Sequence, residues 1–364
     1  MCGRGGGSAT TIGVDGAICL RDIMRHIPGL DAIRLVCAVI VALGHYPLAL
    51  RSSLTVLGPF GDLIGSAIGI AFNGPAAVIV FFVLSGFVIH RPYAIGMTFE
   101  ASEYFTRRYL RIIPPTLIAI GVYLVAGIGP RTGNWNDTVL WSVFCELAYY
   151  TLYPVILRSG FRVGPLALAS YGLTLAVAFA SPSIATPGSN YTAFGYGTWL
   201  IGLPCWLSGA WVAEQTGGHT AVSRGEILTW RGGLFALAVL LRACKFHGTW
   251  LGPLSASTIH LTLFAPVIAL WVRREAVYLG ERTGAVGQPV LDRIGRSSFS
   301  LYLIHPVALV LALHLCPNRP LICFLVYLAL LALATFGFYT LVERPSHRLA
   351  QRLGRFASRE RRTA

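Results

Sequence analysis

Apolar runs of bilayer length recur along this chain, separated by short polar loops. Stretches of about 20 apolar residues, enough for a helix to cross a bilayer, fall at 29–50, 66–90, 109–129, 137–157, 165–181, 197–213, 229–246, 252–272, 297–315 and 321–342. Gly and Pro interrupt 165–181 and 197–213. A helix satisfies its own backbone groups in lipid, so the pattern predicts an all-α integral membrane protein of about ten transmembrane helices. Three parts follow: a Gly-rich cytoplasmic lead-in over 1–28, a transmembrane domain over 29–345 and a basic cytoplasmic tail over 346–364. The lead-in has no apolar core of signal-peptide length, so no cleaved signal is expected.

Composition agrees with the pattern. The chain is 55% hydrophobic and 12% charged, far from the mix of a soluble domain. An even number of spans puts both termini on one side. That side holds 23 of the 29 Lys and Arg, and the positive-inside bias makes it the cytoplasm. The expected location is the inner (plasma) membrane, multi-pass. The net charge of +14 is mostly this topology signal plus the run Arg344 to Arg362, which suits anionic lipid better than nucleic acid. The eight Cys show no C-x-x-C spacing and read as small apolar packing residues; neither a disulfide framework nor a metal site is expected.

Against this background the polar residues inside spans stand out, because an ionisable group at membrane depth is costly and marks a functional site by default. Arg34 and His45 share the first span. Eleven residues of helix separate them by roughly 16 Å on one face, so Arg34 can stand near one surface with His45 deep inside. Glu146 lies mid-span in the fourth stretch and needs a partner, for which Arg34 and His45 are candidates; a structural tie between helices is the plain alternative. Arg107, Arg108 and Arg111 cluster at helical spacing. Their guanidinium forks match phosphate oxygens, although a positive-inside anchor explains them equally. Pro114-Pro115, just beyond, is expected to bend or break the helix. Ser85-Gly86 reads as a packing notch or a substrate-facing wall, and His90 as a solvated end residue. His305, alone in an apolar segment, reads as structural, and Glu343-Arg344-Pro345 as a helix stop with an ion pair.

Taken in order, Arg34 with His45, FFVLSGFVI at 81–89, RRYLR at 107–111, LWSVFCELAYYTLYP at 140–154, SFSLYLIHP at 298–306 and VERP at 342–345 resemble the acyltransferase 3 family of membrane acyltransferases. The resemblance runs from residue 29 to about 350. One departure is SVFCE where the family often has SLSVE; the carboxylate is kept as Glu146. The resemblance implies transfer of an acyl group, usually acetyl from acetyl-CoA, to a hydroxyl of a sugar, surface polysaccharide or lipid-linked glycan, with no permanently bound cofactor. It implies that Arg34, His45 and Glu146 are catalytic and that Arg107, Arg108 and Arg111 hold the acyl-CoA. Ser85, Tyr302 and His305 are secondary candidates for substrate contact. The expected partners are acyl-CoA, a carbohydrate or glycolipid acceptor and membrane lipid, with no nucleic acid.

The chemistry suits the residues. A sugar hydroxyl is a weak nucleophile, and a histidine within hydrogen-bond reach can take its proton as it attacks the thioester. A covalent acyl-His45 intermediate is the other route. A transporter or flippase of glycolipid precursors would also show ten helices and buried charges. It would usually carry repeated halves, and no such symmetry is visible.

Overall fold

Each apolar run folds as helix. The computed structural model describes residues 27, 29–54, 58–130, 133–135, 138–215, 221–281, 289–317 and 319–363, and no strand occurs among them. The lead-in over 1–28, apart from Ile27, lies outside the described residues. The helices are α1 Leu30–Leu54, α2 Gly58–Ala71, α3 Gly74–Ala94, α4 Ala101–Val125, α5 Trp141–Arg158, α6 Val163–Ala180, α7 Thr198–Glu214, α8 Arg224–His247, α9 Ser257–Glu281, α10 Pro289–Gly295, α11 Ser298–Leu315, α12 Pro320–Phe338 and α13 Arg344–Thr363.

Among the described residues, six stretches are long and apolar enough to cross a membrane: α2 with α3, α4, α6, α8, α11, and α12 running into α13. A seventh arises if the turn Thr249–Ser255 and α9, bent by 62° from each other, count as one span. Of the three remaining stretches, α5 carries Glu146 and Arg158 and α7 is only 17 residues long, whereas part of α1 lies outside the residues whose side chains are described. These same helices furnish the polar interior described below. α7 is almost entirely covered by its neighbours, so lipid solubility is not demanded of it.

The core is the crossing of α3 and α7, where Gly86 and Gly209 allow backbone-to-backbone contact. A Cβ on Gly86 would lie 1.9 Å from Trp206 O, and one on Gly209 would lie 1.8 Å from Val83 O. Small residues serve helix packing in membranes in this way. α11 packs against α12 and α1, α4 against α13, and α7 is further flanked by α6, α9 and α5. Outward faces are apolar: Leu124 and Val125 of α4 and Leu333 and Phe336 of α12 are exposed, as lipid contact requires.

Two expectations about helix ends are corrected. Pro114-Pro115 does not break α4, which runs unbroken through both. A proline removes the N–H that would bond the carbonyl four residues back; for Pro114 that carbonyl belongs to Leu110, and Ser346 Oγ donates to it from α13. Nor does Glu343-Arg344-Pro345 stop the last helix. The chain passes through a π-helical turn, Tyr339–Glu343, and continues as α13. The wider turn accommodates Pro345, as π-bulges do. Glu343 is buried, and its Oε2 accepts from Ser300 N at 3.0 Å and from Ser300 Oγ.

The glycine crossing generates a direct expectation. Overpacking a tight interior costs about 1–3 kcal/mol, so Gly86→Ala and Gly209→Ala should each lower the melting temperature in detergent and the yield of monodisperse protein. Gly121→Ala, where no atom lies within 4 Å of the added Cβ, should do neither. Fluorescence-detected size exclusion after a heating series reads all three.

Candidate active site

Five helices, α1, α3, α4, α5 and α11, line a partly open cavity. Arg34, Arg108 and Arg111 bring three guanidinium groups to it. Ser85, Ser142, Glu146, Tyr150 and Tyr302 supply its other polar lining, and the walls include Phe81, Phe82, Val88, Ile112, Val143 and Phe299. Cations beside hydroxyls and apolar walls in one chamber suit an amphiphilic ligand with an anionic end.

Glu146 is held by hydroxyls. Ser85 Oγ donates to Glu146 Oε1 at 2.8 Å and Tyr150 OH donates to the same oxygen. Trp206 Nε1 in turn donates to Ser85 Oγ at 3.3 Å. Neither Arg34 nor His45, the partners considered from sequence, holds this carboxylate. Arg34 Nη1 instead pairs with Asp31 Oδ1 at 2.8 Å, one turn back on α1. The Ser85-Gly86 pair therefore divides the two roles weighed for it: Gly86 is the packing notch, and Ser85 faces the cavity.

The arginine cluster divides. Arg108 and Arg111 line the cavity, with Arg108 set 5.9 Å from the Tyr150 ring centroid. Arg107 turns away, pairs with Glu103 at 2.7 Å and packs against Gly354 of α13. Helical spacing alone would group all three, Arg111 lying about 40° round the helix from Arg107; Arg107 is held out of the cavity by Glu103 one turn back on α4.

Tyr302 forms part of the cavity lining. Its hydroxyl donates to Val139 O at 2.6 Å and receives Ser142 Oγ at 2.7 Å. One turn further along α11 lies His305, whose ring centroid is 5.9 Å from that of Tyr302 and 5.1 Å from that of His45. His45 is thus next to the cavity through Tyr302 and His305 and is not among the residues that line it. Its Nδ1 donates to Val41 O at 2.8 Å, which fixes the neutral tautomer with Nε2 as an acceptor. His90, expected as a solvated end residue, is buried, with Nδ1 bonded to Tyr153 OH at 2.9 Å.

Two contributors escape a reading of the sequence alone. Tyr150 could have been found, because it stands four residues from Glu146 on the same helix face. Trp206 could not, because it comes from α7, sixty residues away in a stretch with no polar pattern. Among the described residues no group of His, Cys, Asp and Glu is arranged to hold a metal ion.

Comparison with known proteins gives two matches that agree. The family model described as an acyltransferase domain matches residues 27–343. The acyltransferase MdmB of Streptomyces mycarofaciens is 25% identical over 267 residues, covering 64% of this chain and 67% of the relative. No solved structure matches. The family match spans every cavity-lining residue from Arg34 to Tyr302, and the chain belongs to the acyltransferase 3 family.

Proposed function

We propose that the chain transfers an acyl group, acetyl in the first instance, from cytosolic acyl-CoA to a hydroxyl of a sugar, surface polysaccharide or lipid-linked glycan. The observation that carries this reading is the cavity itself. Three guanidinium groups, Arg34, Arg108 and Arg111, stand around one apolar chamber with Glu146, Ser85 and Tyr302, in a chain of acyltransferase ancestry. Paired guanidinium forks hold phosphate oxygens, and CoA is a phosphate-rich headgroup on a long flexible arm. With the phosphates on Arg108 and Arg111, the arm runs inward along the apolar wall toward Tyr302. The thioester then approaches the His45–His305 end.

In this scheme His45 Nε2 takes the proton of the acceptor hydroxyl as its oxygen attacks the thioester carbon. The C–S bond breaks and the proton passes to the departing CoA sulfur. Glu146 keeps Ser85 and Tyr150 aligned at the chamber wall, and Arg34, held by Asp31, adds positive charge on the donor side. Arg107 anchors α4 to α13. The scheme has ten helices crossing the inner membrane and both termini in the cytoplasm, which the distribution of Lys and Arg supports. Mass spectrometry of envelope glycans and lipids from a strain lacking the chain would identify the acceptor by the loss of single-acetyl mass steps.

Arg111→Lys keeps the charge and loses the two-pronged geometry. It should raise the KM for acetyl-CoA several-fold with kcat little changed, measured as CoA release by protein in nanodiscs. Unchanged donor kinetics would return Arg111 to the role of a membrane anchor.

His45→Gln keeps hydrogen bonding but cannot take up a proton at neutral pH. General-base help is worth about 10²–10⁴-fold in rate, so turnover should fall by at least that range's lower end while CoA still binds. Acid quench during wild-type turnover, with peptide mass analysis for acyl-His45, separates direct transfer from a covalent intermediate. Wild-type turnover by correctly inserted His45→Gln would overturn the assignment.

A further inference from the structure

Two cations on α8, Arg242 and Lys245, stand apart from the arginine-lined cavity. They are about one turn apart, and both lie against one ring: Arg242 Cζ is 4.8 Å from the Phe246 centroid and Lys245 Nζ is 5.5 Å from it. Lys245 is buried, and its Nζ donates to Asn190 Oδ1, a neutral partner. Arg242 Nε donates to Gly69 O of α2 at 3.4 Å. Among the described residues nothing bonds to its two Nη groups, and no carboxylate lies within ion-pair distance of either cation. Asp62, the acidic residue of α2, is exposed two turns before Gly69, roughly 10 Å along the axis.

Helix C-termini favour cations, and both residues lie near such ends: Lys245 in the last turn of α8, and Arg242 against the last turn of α2. That accounts for their positions. It does not supply the counter-charge that a cation withdrawn from water requires.

The pair stands at the His45 end of α1. Gly44 is packed so closely on the end of α2 that a Cβ there would lie 2.5 Å from Phe72 O. Phe72 follows Gly69, the residue that receives Arg242, by less than one helical turn. The Arg242 charge accordingly reaches His45, which is only partly buried. His45 therefore has the arginine-lined cavity on one side, through Tyr302 and His305, and Arg242 on the other. A guanidinium with both Nη groups open matches the two oxygens of a carboxylate or a phosphate.

We propose that Arg242, with Lys245 behind it, binds an oxyanion carried by the acceptor: the acceptor is an acidic sugar or glycolipid, its carboxylate or phosphate seated on α8 with one of its hydroxyls at His45. The inference rests on the reading of His45 as the base.

The first test reads binding alone. The full-length chain in nanodiscs is heated with glucuronate, glucose 1-phosphate or glucose at matched ionic strength. The two anionic sugars should raise the melting temperature, and glucose should not. The rise should be lost in Arg242→Gln and kept in Arg111→Gln. Lys245→Met, which leaves the Arg242–Gly69 bond in place, should also reduce it. Equal melting with all three sugars overturns the proposal, as does a rise that Arg111→Gln removes while Arg242→Gln and Lys245→Met keep it.

Turnover then identifies the source of the anion. An envelope extract from a strain lacking the chain is split by anion exchange, and label is followed from radiolabelled acetyl-CoA. It should enter the acidic fraction and not the neutral one. Carboxyl reduction of the acidic fraction should abolish transfer if the anion is a uronate, and mild hydrofluoric acid should do so if it is a phosphate. Arg242→Gln should lower kcat/KM for that fraction about tenfold or more, the scale of hydrogen bonds to a charged group, with KM for acetyl-CoA unchanged. Label in the neutral fraction, or transfer that survives both treatments, overturns the proposal. If neither fraction takes label while the anionic sugars still act through Arg242, the acyltransferase reading fails and the anion site stands.

Discussion

A backbone carbonyl left open inside an apolar bundle has no water to turn to, and this constraint organises much of the structure. Each proline within a helix creates such a carbonyl four residues back, at a cost of a few kcal/mol if it stays unpaired. Four of them are filled by side chains. Pro114 opens Leu110 O, which receives Ser346 Oγ. Pro154 opens Tyr150 O, which receives Tyr104 OH at 3.1 Å; Pro204 opens Leu200 O, which receives Thr174 Oγ1 at 3.3 Å; and Pro306 opens Tyr302 O, which receives His305 Nδ1 at 2.7 Å. The first three tie α13 to α4, α4 to α5 and α6 to α7. These prolines therefore create sites of helix attachment.

The same economy sets the chemistry of the cavity. Committing His305 Nδ1 to the carbonyl opened by Pro306 leaves Nε2 as a lone pair beside His45. Tyr104, by filling the carbonyl of Tyr150, holds the residue whose hydroxyl donates to Glu146. Buried carboxylates elsewhere obey the rule too. Glu343 is satisfied by Ser300, and Glu275 by Arg231 and by Trp271 Nε1 at 2.9 Å. Within this framework Arg34, Arg108 and Arg111 are the cations that line the cavity.

Much of this was legible in the sequence. The helical class follows from apolar run length, and Arg34, Glu146, Arg108 and Arg111 stand out because charge in such runs is costly. The count of spans was less legible, because α5 carries polar residues and α7 is short, and only their neighbours make that tolerable. The fate of Pro114-Pro115 depended on Ser346, more than two hundred residues away. Pairwise partners were the hardest to foresee. Glu146 and Arg34 looked complementary, yet hydroxyls from α3 and α5 hold the first and Asp31 holds the second. The resemblance to a family ordered the motifs correctly, but only the fold divides the arginines, turning Arg107 to Glu103 and α13 and Arg108 and Arg111 inward.

The account turns on one claim, that the arginine-lined cavity receives CoA with its thiol directed toward His45. A cryo-EM structure of the full-length chain in nanodiscs with CoA bound tests it most directly. The account predicts phosphate density against Arg108 and Arg111 and the thiol end beyond Tyr302, on the side of His45 and His305. CoA bound elsewhere, or bound in the cavity with its phosphates against Glu146 and its thiol pointing out past Arg111, would contradict it.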